Sequence, residues 1–496
     1  MPVLAIDAGT TGVTALVIDD EGSVIGRGYS EFAQRYPRPG WVEHEPEAIW
    51  GATLSSCRDA LNASPVAPTA VGLTNQRETI VIWDRETLRA PRPAIVWQDR
   101  RTAAICARLR DAGHEDRVRE LTGLRLDPYF SATKLMWIAE HEPEVWQDVL
   151  DGRFVIGTVD SYLIAKLTGG VHVTDATNAC RTLLFDTFAG RWSQELCELF
   201  GVPIDALPEV VPSSGEIAMT DPDLTTGRLS VPIAGIAGDQ QAALFGQACF
   251  MEGSAKCTYG TGSFILANTG RTPVRSDSGL LTTIAWDLGG GPTYALEGAI
   301  FVTGAAVQWL RDGLGIIQAA SETETLARSV ADSGGVIFVP ALTGLGAPDW
   351  DPHARGTILG ITRGTTRAHL CRATLEAIAF EVRDVVDLMV REAGLELSSL
   401  SVDGGASENN LLCELQAAQL GTVVRRPMVT ETTAAGAGFL AGLATGMWGS
   451  TADVATIWQQ QRAFDPAPNA REDGSYERWR LAVERAKDWA GDAGPA

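Results

Sequence analysis

A Gly/Thr turn between two short apolar runs occurs once in each half of this chain. In the first half, residues 3–6 lead to Asp7, and the turn at residues 9–12 separates them from a second apolar run at residues 13–19. In the second half, Gly260-Thr261-Gly262 separates two similar runs, residues 256–259 and 263–268. Short apolar runs joined by a Gly-containing turn are typical of β-hairpins. The repetition therefore predicts two lobes of related fold.

Helical and strand patterns alternate after each hairpin. The first half continues with a helix at residues 46–62 and strands at residues 71–74 and 79–83; the second half is predicted to have strands at residues 281–286, 293–297 and 400–403 and helices at residues 305–311 and 366–393. The last helix is marked by apolar residues three and four positions apart: Cys371, Leu375, Ile378, Val382, Val385 and Met389. We therefore predict an α/β fold of two duplicated lobes with a cleft between them. Their expected boundaries are residues 1–248 and 249–496.

Charge and lysine content limit the possible ligands. The 496 residues include 40 Lys or Arg and 62 Asp or Glu, a net charge of −22, which argues against non-specific binding to nucleic acid or to anionic lipid. The lysines are Lys134, Lys166, Lys256 and Lys487, and none stands in a P-loop or protein-kinase phosphate motif. A nucleotide would therefore have to be held by backbone amides, hydroxyls and Mg²⁺.

Cysteine and histidine positions give no metal-binding pattern. The eight cysteines include no C-x-x-C, so we expect reduced, mostly buried thiols and no structural zinc. His44 and His141 have polar neighbours and are expected at the surface. The N-terminus lacks a signal-peptide pattern, and the longest weakly apolar stretch, residues 433–448, is shorter than the ~20 residues of a membrane span. A cytoplasmic protein is expected.

Three segments are candidates for nucleotide binding. The turn after Asp7 can offer amides and hydroxyls to an anion, while the Asp carboxylate holds a hydrated Mg²⁺; an ordinary tight hairpin is the alternative. The second turn, at residues 259–263, favours a pair of phosphate loops that face each other. Gly404-Gly405, between a strand and a helix, permits close backbone approach to a nucleotide. The small residues of Gly436-Ala-Gly438 are better explained by tight helix packing than by dinucleotide binding.

Two polar segments are candidates for an acceptor substrate. Asp239-Gln240-Gln241 follows the apolar run at residues 232–237, and a carboxylate at such a strand end can take a hydroxyl proton; an exposed turn is the alternative. Arg77-Glu78 lies between two apolar strands, where the pair can donate to and accept from a polyol; a surface ion pair is the alternative.

Together these segments resemble the FGGY carbohydrate kinases of the actin-like ATPase superfamily, which have ribonuclease-H-like lobes. Residues 129–141 fit the first family signature, and residues 356–361 with 369–376 fit the second. The resemblance extends over residues 3–446. The branch of the family that acts on glycerol is the most similar, through these segments: 39–44, 74–78, 95–98, 127–130, 235–246 and 344–348.

The resemblance implies ATP- and Mg²⁺-dependent phosphorylation of glycerol, the first step of glycerol catabolism, with Asp239 as general base. It implies three further sets of residues. Contacts to glycerol would come from Arg77, Glu78, Tyr129, Asp239 and Gln240, with Trp97 and Phe264 as an apolar wall. Contacts to ATP would come from Thr10, Thr11, Gly12, Thr261, Gly304, Gln308, Gly405 and Asn409. Asp7 and Asp239 would organise the metal. A homodimer or homotetramer is usual in the family, and neither nucleic acid nor membrane is an expected partner.

Two positions depart from the glycerol-specific pattern. Gly12 stands where Ser is usual and Thr14 where Arg is usual. Without that Arg, either another Arg or the Mg²⁺ must supply positive charge near the phosphates, or turnover is slower. A family kinase for a pentulose or another small polyol is therefore an alternative. An actin-like chaperone or filament protein is an alternative of another class, but it would not need Arg77, Glu78, Trp97 and Tyr129.

Overall fold

The computed structural model describes residues 1–225, 229–467, 471 and 474–491. Its strands are β1 (Val3–Ala8), β2 (Gly12–Ile18), β3 (Val24–Glu31), β4 (Gln34–Arg35), β5 (Glu43–His44), β6 (Ala70–Asn75), β7 (Val81–Asp84), β8 (Ala94–Ile95), β9 (Phe154–Gly157), β10 (Val173–Asp175), β11 (Phe185–Asp186), β12 (Arg191–Trp192), β13 (Glu209–Val211), β14 (Ser214–Met219), β15 (Pro232–Gly238), β16 (Ser254–Tyr259), β17 (Ser263–Gly270), β18 (Leu281–Asp287), β19 (Pro292–Ile300), β20 (Ile337–Val339), β21 (Thr357–Leu359), β22 (Ser399–Asp403), β23 (Val424–Pro427) and β24 (Gln460–Phe464).

Its helices are α1 (Pro46–Ala63), α2 (Ala103–Asp111), α3 (Glu115–Thr122), α4 (Ser131–His141), α5 (Pro143–Leu150), α6 (Val159–Thr168), α7 (Ala176–Ala179), α8 (Gln194–Phe200), α9 (Asp239–Gly246), α10 (Gly304–Gln308), α11 (Glu322–Arg328), α12 (Arg367–Ala393), α13 (Asn410–Leu420), α14 (Thr432–Ala444), α15 (Thr451–Ile457) and α16 (Ser475–Ala486). A π-helical turn, Trp309–Gly313, follows α10, and 3₁₀ turns lie at Ile204–Ala206 and Gly405–Glu408.

The first lobe is built on a six-stranded sheet in the order β14-β15-β6-β1-β2-β3. Strands β1 and β2 form the predicted antiparallel hairpin, in which the Gly9 amide donates to the Gly12 carbonyl over 3.0 Å. Strand β6 runs parallel to β1, with Thr74 beside Asp7, and β15 runs parallel to β6. The carboxyl ends of three parallel strands therefore meet at one edge of this sheet, and the segments that follow them share that edge.

The second lobe repeats this arrangement in a seven-stranded sheet, in the order β18-β19-β17-β16-β22-β23-β24. Strands β16 and β17 form the second predicted hairpin, and the Gly260 amide donates to the Gly262 carbonyl over 2.8 Å. Strand β22 runs parallel to β16 and places Asp403 beside Thr258. The α/β fold of two duplicated lobes is confirmed.

Helix α12 forms as its sequence predicts. The Thr366 side chain and His369 make a capping box at its start, and Gly394 ends it in the left-handed conformation. The six apolar residues of the predicted stripe are all buried in the core of the second lobe. All eight cysteines are free and buried, as expected. Among the described helices, none has both the length and the apolar character that crossing a membrane requires.

Helix α14 belongs to the second half of the chain but packs against α9 and the sheet of the first lobe. A β-carbon on Gly436 would lie 1.8 Å from the Ala242 carbonyl oxygen, and one on Gly72 would lie 2.0 Å from that of Ala437. Only glycine permits so close an approach of two backbones. The interpretation of these small residues as a packing surface is confirmed.

Candidate active site

The segments after β6 and β15 bring the acceptor candidates together. Asp239 begins α9 directly after β15, and its Oδ1 lies 3.2 Å from Nε of Arg77, which follows β6. The side chains of Arg77 and Glu78 are each only 1% exposed, so the alternative of a surface ion pair is wrong. The Asp239 side chain is 28% exposed. Among Arg77, Glu78 and Asp239, called the acceptor cluster below, Asp239 therefore provides the carboxylate that an acceptor substrate can reach.

Every N–H of the Arg77 guanidinium faces an acceptor of the protein. Nε is beside Asp239; Nη1 donates to Gln241 Oε1 over 3.2 Å and to Glu297 Oε2 over 2.6 Å. Nη2 donates to the Tyr129 hydroxyl over 3.2 Å and to Glu297 Oε1 over 3.1 Å. Four of the five arginine donors thus hydrogen-bond to the protein, and the fifth, on Nε, lies at ion-pair distance from Asp239. A substrate oxygen would have to share or replace one of these partners.

Glu297 and Arg181 complete this buried cluster, and sequence reasoning missed both. Arg181 donates from Nε to Glu78 Oε1 and from Nη2 to Glu297 Oε1, each over 2.8 Å, and all three side chains are buried. Burial alone would raise the pKa of Glu297, but the charges of Arg181 and Arg77 lower it to about 2. Since Glu297 lies in β19, it joins the two lobes. The one sequence feature that could have identified Glu297 as a site residue is its charge in the middle of an apolar strand. No such feature marks Arg181.

Aromatic side chains border the acceptor cluster. The ring of Trp97 lies 5.6 Å from that of Tyr129 and 6.4 Å from that of Phe264, between centroids and nearly perpendicular in both cases. The Trp97 indole N–H donates to Thr10 Oγ1 over 2.9 Å. Burial raises the pKa of Tyr129, so its phenol keeps its proton and can donate. The predicted apolar wall thus stands against both the acceptor cluster and the first turn.

His44 is buried, so the prediction of a surface position is wrong; His141 is exposed as expected. Phe32 packs edge-on against the His44 ring at 5.0 Å. Gln76 Nε2 contacts His44 Nδ1 over 3.3 Å and donates to the Gly9 carbonyl over 3.0 Å. Burial lowers the pKa of His44 to about 4, so the neutral ring accepts from Gln76. His44 thereby holds Gln76 in place, and Gln76 in turn hydrogen-bonds to the first turn at Gly9.

The predicted nucleotide contacts of the second lobe line a single cleft of about 420 Å³: Thr261, Gly304, Gln308, Gly405 and Asn409. That volume is within the usual range for a small-molecule site. Apolar side chains of Val307, Leu375, Ile378 and Leu412 also line it and provide a surface for a planar base. The Asn409 side chain caps α13 by accepting from the Leu412 amide over 3.1 Å.

The first turn, with Thr10, Thr11 and Gly12, is on the other lobe and does not line this cleft. A β-carbon on Gly12 would lie 2.8 Å from the Ser30 carbonyl oxygen and 2.9 Å from the Tyr29 ring. Strand β3 therefore leaves no room for a serine at this position, which accounts for one of the two departures from the family pattern.

Oxygen atoms suited to a cation lie at the shared strand edge. Asp7 Oδ1, Thr74 Oγ1 and Asn75 Oδ1 are buried, and none has a hydrogen-bond partner among the described residues. Burial, and then the charge of Asp239, raises the pKa of Asp7 to about 7. Within the described part of the chain, no three His, Cys, Asp or Glu residues form a metal-binding group. One or two carboxylates with water fit Mg²⁺, which keeps much of its hydration.

This fold and site define a carbohydrate kinase. The model of the FGGY family of carbohydrate kinases, N-terminal domain, matches residues 2–246, and that of the C-terminal domain matches residues 255–445. The chain belongs to the FGGY family.

Glycerol kinases are among its relatives. The chain is 51% identical to glycerol kinase 2 of Thermotoga maritima and 53% identical to the glycerol kinase of Aromatoleum aromaticum, covering 98% of this chain and 99% of each relative. The crystal structure of Plasmodium falciparum glycerol kinase with ADP matches with a TM-score of 0.93 and 35% identity over 98% of both chains. Xylulose kinase from Lactobacillus acidophilus shares the fold, with a TM-score of 0.90 at 20% identity over 99% of both chains.

Proposed function

We propose that this chain phosphorylates glycerol with ATP to give sn-glycerol 3-phosphate, the first step of glycerol catabolism. The observation that carries the proposal is the accessible carboxylate of Asp239 within a buried set of hydrogen-bonding groups. Full-length similarity to proteins named glycerol kinase supports the same conclusion.

In this proposal Asp239 accepts the proton of the attacking hydroxyl, while neighbouring side chains orient the other hydroxyls. Glu78 offers an acceptor, Gln240 and the phenol of Tyr129 offer donors, and Arg77 fixes Asp239 through its Nε. Trp97 and Phe264 exclude water that would compete as the phosphoryl acceptor. In-line transfer follows when the γ-phosphoryl group lies opposite the hydroxyl.

The nucleotide would occupy the cleft of the second lobe with its phosphates towards both Gly/Thr turns. We further propose that lobes 1–248 and 249–496 close on it, although α14 packs on the first lobe. Asp7 and Asp239 would hold a hydrated Mg²⁺, whose charge offsets the phosphates. A homodimer or homotetramer and a cytoplasmic location remain predictions.

Substitution of Asp7 by Asn is expected to stabilise the ligand-free protein at pH 8 while lowering its activity. Because the folded-state pKa is about 7 against an ordinary 3.8, the folded state binds the extra proton between these values. Stability from this group is therefore full below pH 4 and is lost as the pH rises through 7, by up to about 4 kcal/mol. Asn removes that loss.

Urea unfolding at pH 5 and pH 8 measures the effect, beside kcat at saturating Mg²⁺ and ATP. The gain in stability of the variant is expected to be larger at pH 8 than at pH 5. A variant less stable than the wild type at pH 8 would show that Asp7 is a structural carboxylate.

The proposed substrate is tested by steady-state assays that couple ADP formation to NADH oxidation, with glycerol, D-xylulose and L-ribulose as acceptors. We expect kcat/KM for glycerol to exceed that for either pentulose by at least about 100-fold, since 10²-fold corresponds to less than 3 kcal/mol of differential binding. A higher kcat/KM for a pentulose than for glycerol would show that the pentulose, and not glycerol, is the substrate. ATP hydrolysis at the same rate without an acceptor would favour the chaperone or filament alternative.

A further inference from the structure

Lys256 is a buried lysine with an ammonium group at the acceptor cluster. It lies in the middle of β16, between Leu266 of β17 and Ser401 of β22, and its side chain is fully buried. Nζ donates to Gln240 Oε1 and, over 2.9 Å, to Thr258 Oγ1. Burial of an ammonium group is costly, and it lowers the pKa of Lys256 against the opposing charges of Asp403 and Asp239. Because burial of the Lys256 ammonium group costs free energy, we expect this side chain to have a function.

The contact with Lys256 fixes the orientation of the Gln240 amide. An ammonium group has three donors and no acceptor, so the amide must turn its oxygen to Lys256. Its NH₂ group then points away from the lysine, on a half-buried side chain next to Asp239. Among the described residues, none accepts a hydrogen bond from Gln240 Nε2. The amide therefore offers two uncommitted N–H groups beside the proposed base.

Besides the phenol of Tyr129, such donors are scarce at this site. Asp239, Glu78 and Glu297 are acceptors when ionised, four N–H groups of Arg77 already donate to the protein, and the fifth, on Nε, lies beside Asp239. A polyol oxygen that has given its own proton to a carboxylate still needs a donor for its lone pairs. The amide of Gln240 can supply one without breaking an existing hydrogen bond, as long as it does not rotate.

We propose that Lys256 is a positioning residue that locks Gln240 as a hydrogen-bond donor to a substrate hydroxyl. This rests on the proposed function, in that the ligand is a small polyol. Lys256 acts through the amide and does not touch the substrate. The Gln240 amide held in this orientation favours a polyol that places an oxygen with a free lone pair next to it.

The test is a double-mutant cycle with Lys256→Met and Gln240→Ala, measured on the full chain. Lys256→Met alone is expected to raise KM for glycerol about tenfold, with kcat changed less than threefold. In the Gln240→Ala background the same change should alter KM less than twofold, because the amide it positions is gone. Lys166→Met is the matched control, since the Lys166 ammonium pairs with Glu47, outside the acceptor cluster.

Gln240→Glu is a second variant that leaves Lys256 intact. A carboxylate still accepts from Lys256 but has no N–H, so KM should rise at least as much as in Gln240→Ala. Unchanged or tighter binding by Gln240→Glu would overturn the proposal, since Gln240 would then accept from the polyol.

Additive effects in the cycle would also overturn the proposal, as would a shift in the pH profile of kcat with KM unchanged, because Lys256 would then act on Asp239. If the wild type prefers another polyol, the proposed substrate fails, and the same cycle on that polyol still tests the role of Lys256.

Discussion

Asp239→Asn is expected to lower kcat by about 10³-fold while ATP binding changes less than about threefold. The amide keeps the size of the carboxylate, and its oxygen can still accept from the backbone N–H of Gln240, as Asp239 Oδ1 does over 2.7 Å. It cannot take the proton of an attacking hydroxyl, and removal of a general base costs about 10²–10⁴-fold in rate. Single-turnover phosphorylation of glycerol measures the chemical step, and calorimetry with a non-hydrolysable ATP analogue measures nucleotide binding.

The loss should persist at every pH between 6 and 9, because the variant has no group to ionise there. Glu297→Gln is a useful comparison, since this carboxylate lies in the same cluster but is fully buried and cannot reach an acceptor. Retention of more than a tenth of the wild-type kcat by Asp239→Asn would show that another group takes the proton.

The parts of this site that the sequence could predict are those carried by local signals. The two hairpins are marked by glycines and threonines within a few residues, Asp239 directly follows an apolar strand, and Arg77-Glu78 lies between two apolar strands. Parallel strands bring their carboxyl ends to one edge, so these residues meet once the sheet order is known. The class of fold and the general place of the site follow from that.

The partners of these residues could not be predicted, because they are far apart along the chain. Glu297 lies 220 residues after Arg77, and Arg181 lies more than a hundred residues from each of them. Nothing in the local sequence says which buried charge will face which. His44 shows the same limit, since its polar neighbours in sequence predicted exposure, whereas Phe32 and Gln76 bury it.

Glu297→Gln is expected to reduce the free energy of unfolding by roughly 3–5 kcal/mol, the usual cost of breaking a buried ion pair from one side. Glu297 accepts from Arg77 over 2.6 Å and from Arg181 over 2.8 Å. The neutral amide of Gln would leave both buried guanidinium groups without the negative charge of Glu297. Since the pKa of Glu297 is about 2 against an ordinary 4.5, its contribution is full above pH 4.5 and is lost as the pH falls through 2. Urea unfolding at pH 7 measures the loss.

The matched control is Glu195→Gln, because Glu195 also accepts two hydrogen bonds from one arginine, Arg117, each over 2.7 Å. That pair is about half exposed, so its loss should cost no more than about 1 kcal/mol. Because Glu297 joins the second lobe to Arg77 of the first, Glu297→Gln should also raise KM for glycerol. Equal losses of stability in the two variants would show that the cluster stabilises the fold no more than a surface pair, and that its buried charges serve substrate binding alone.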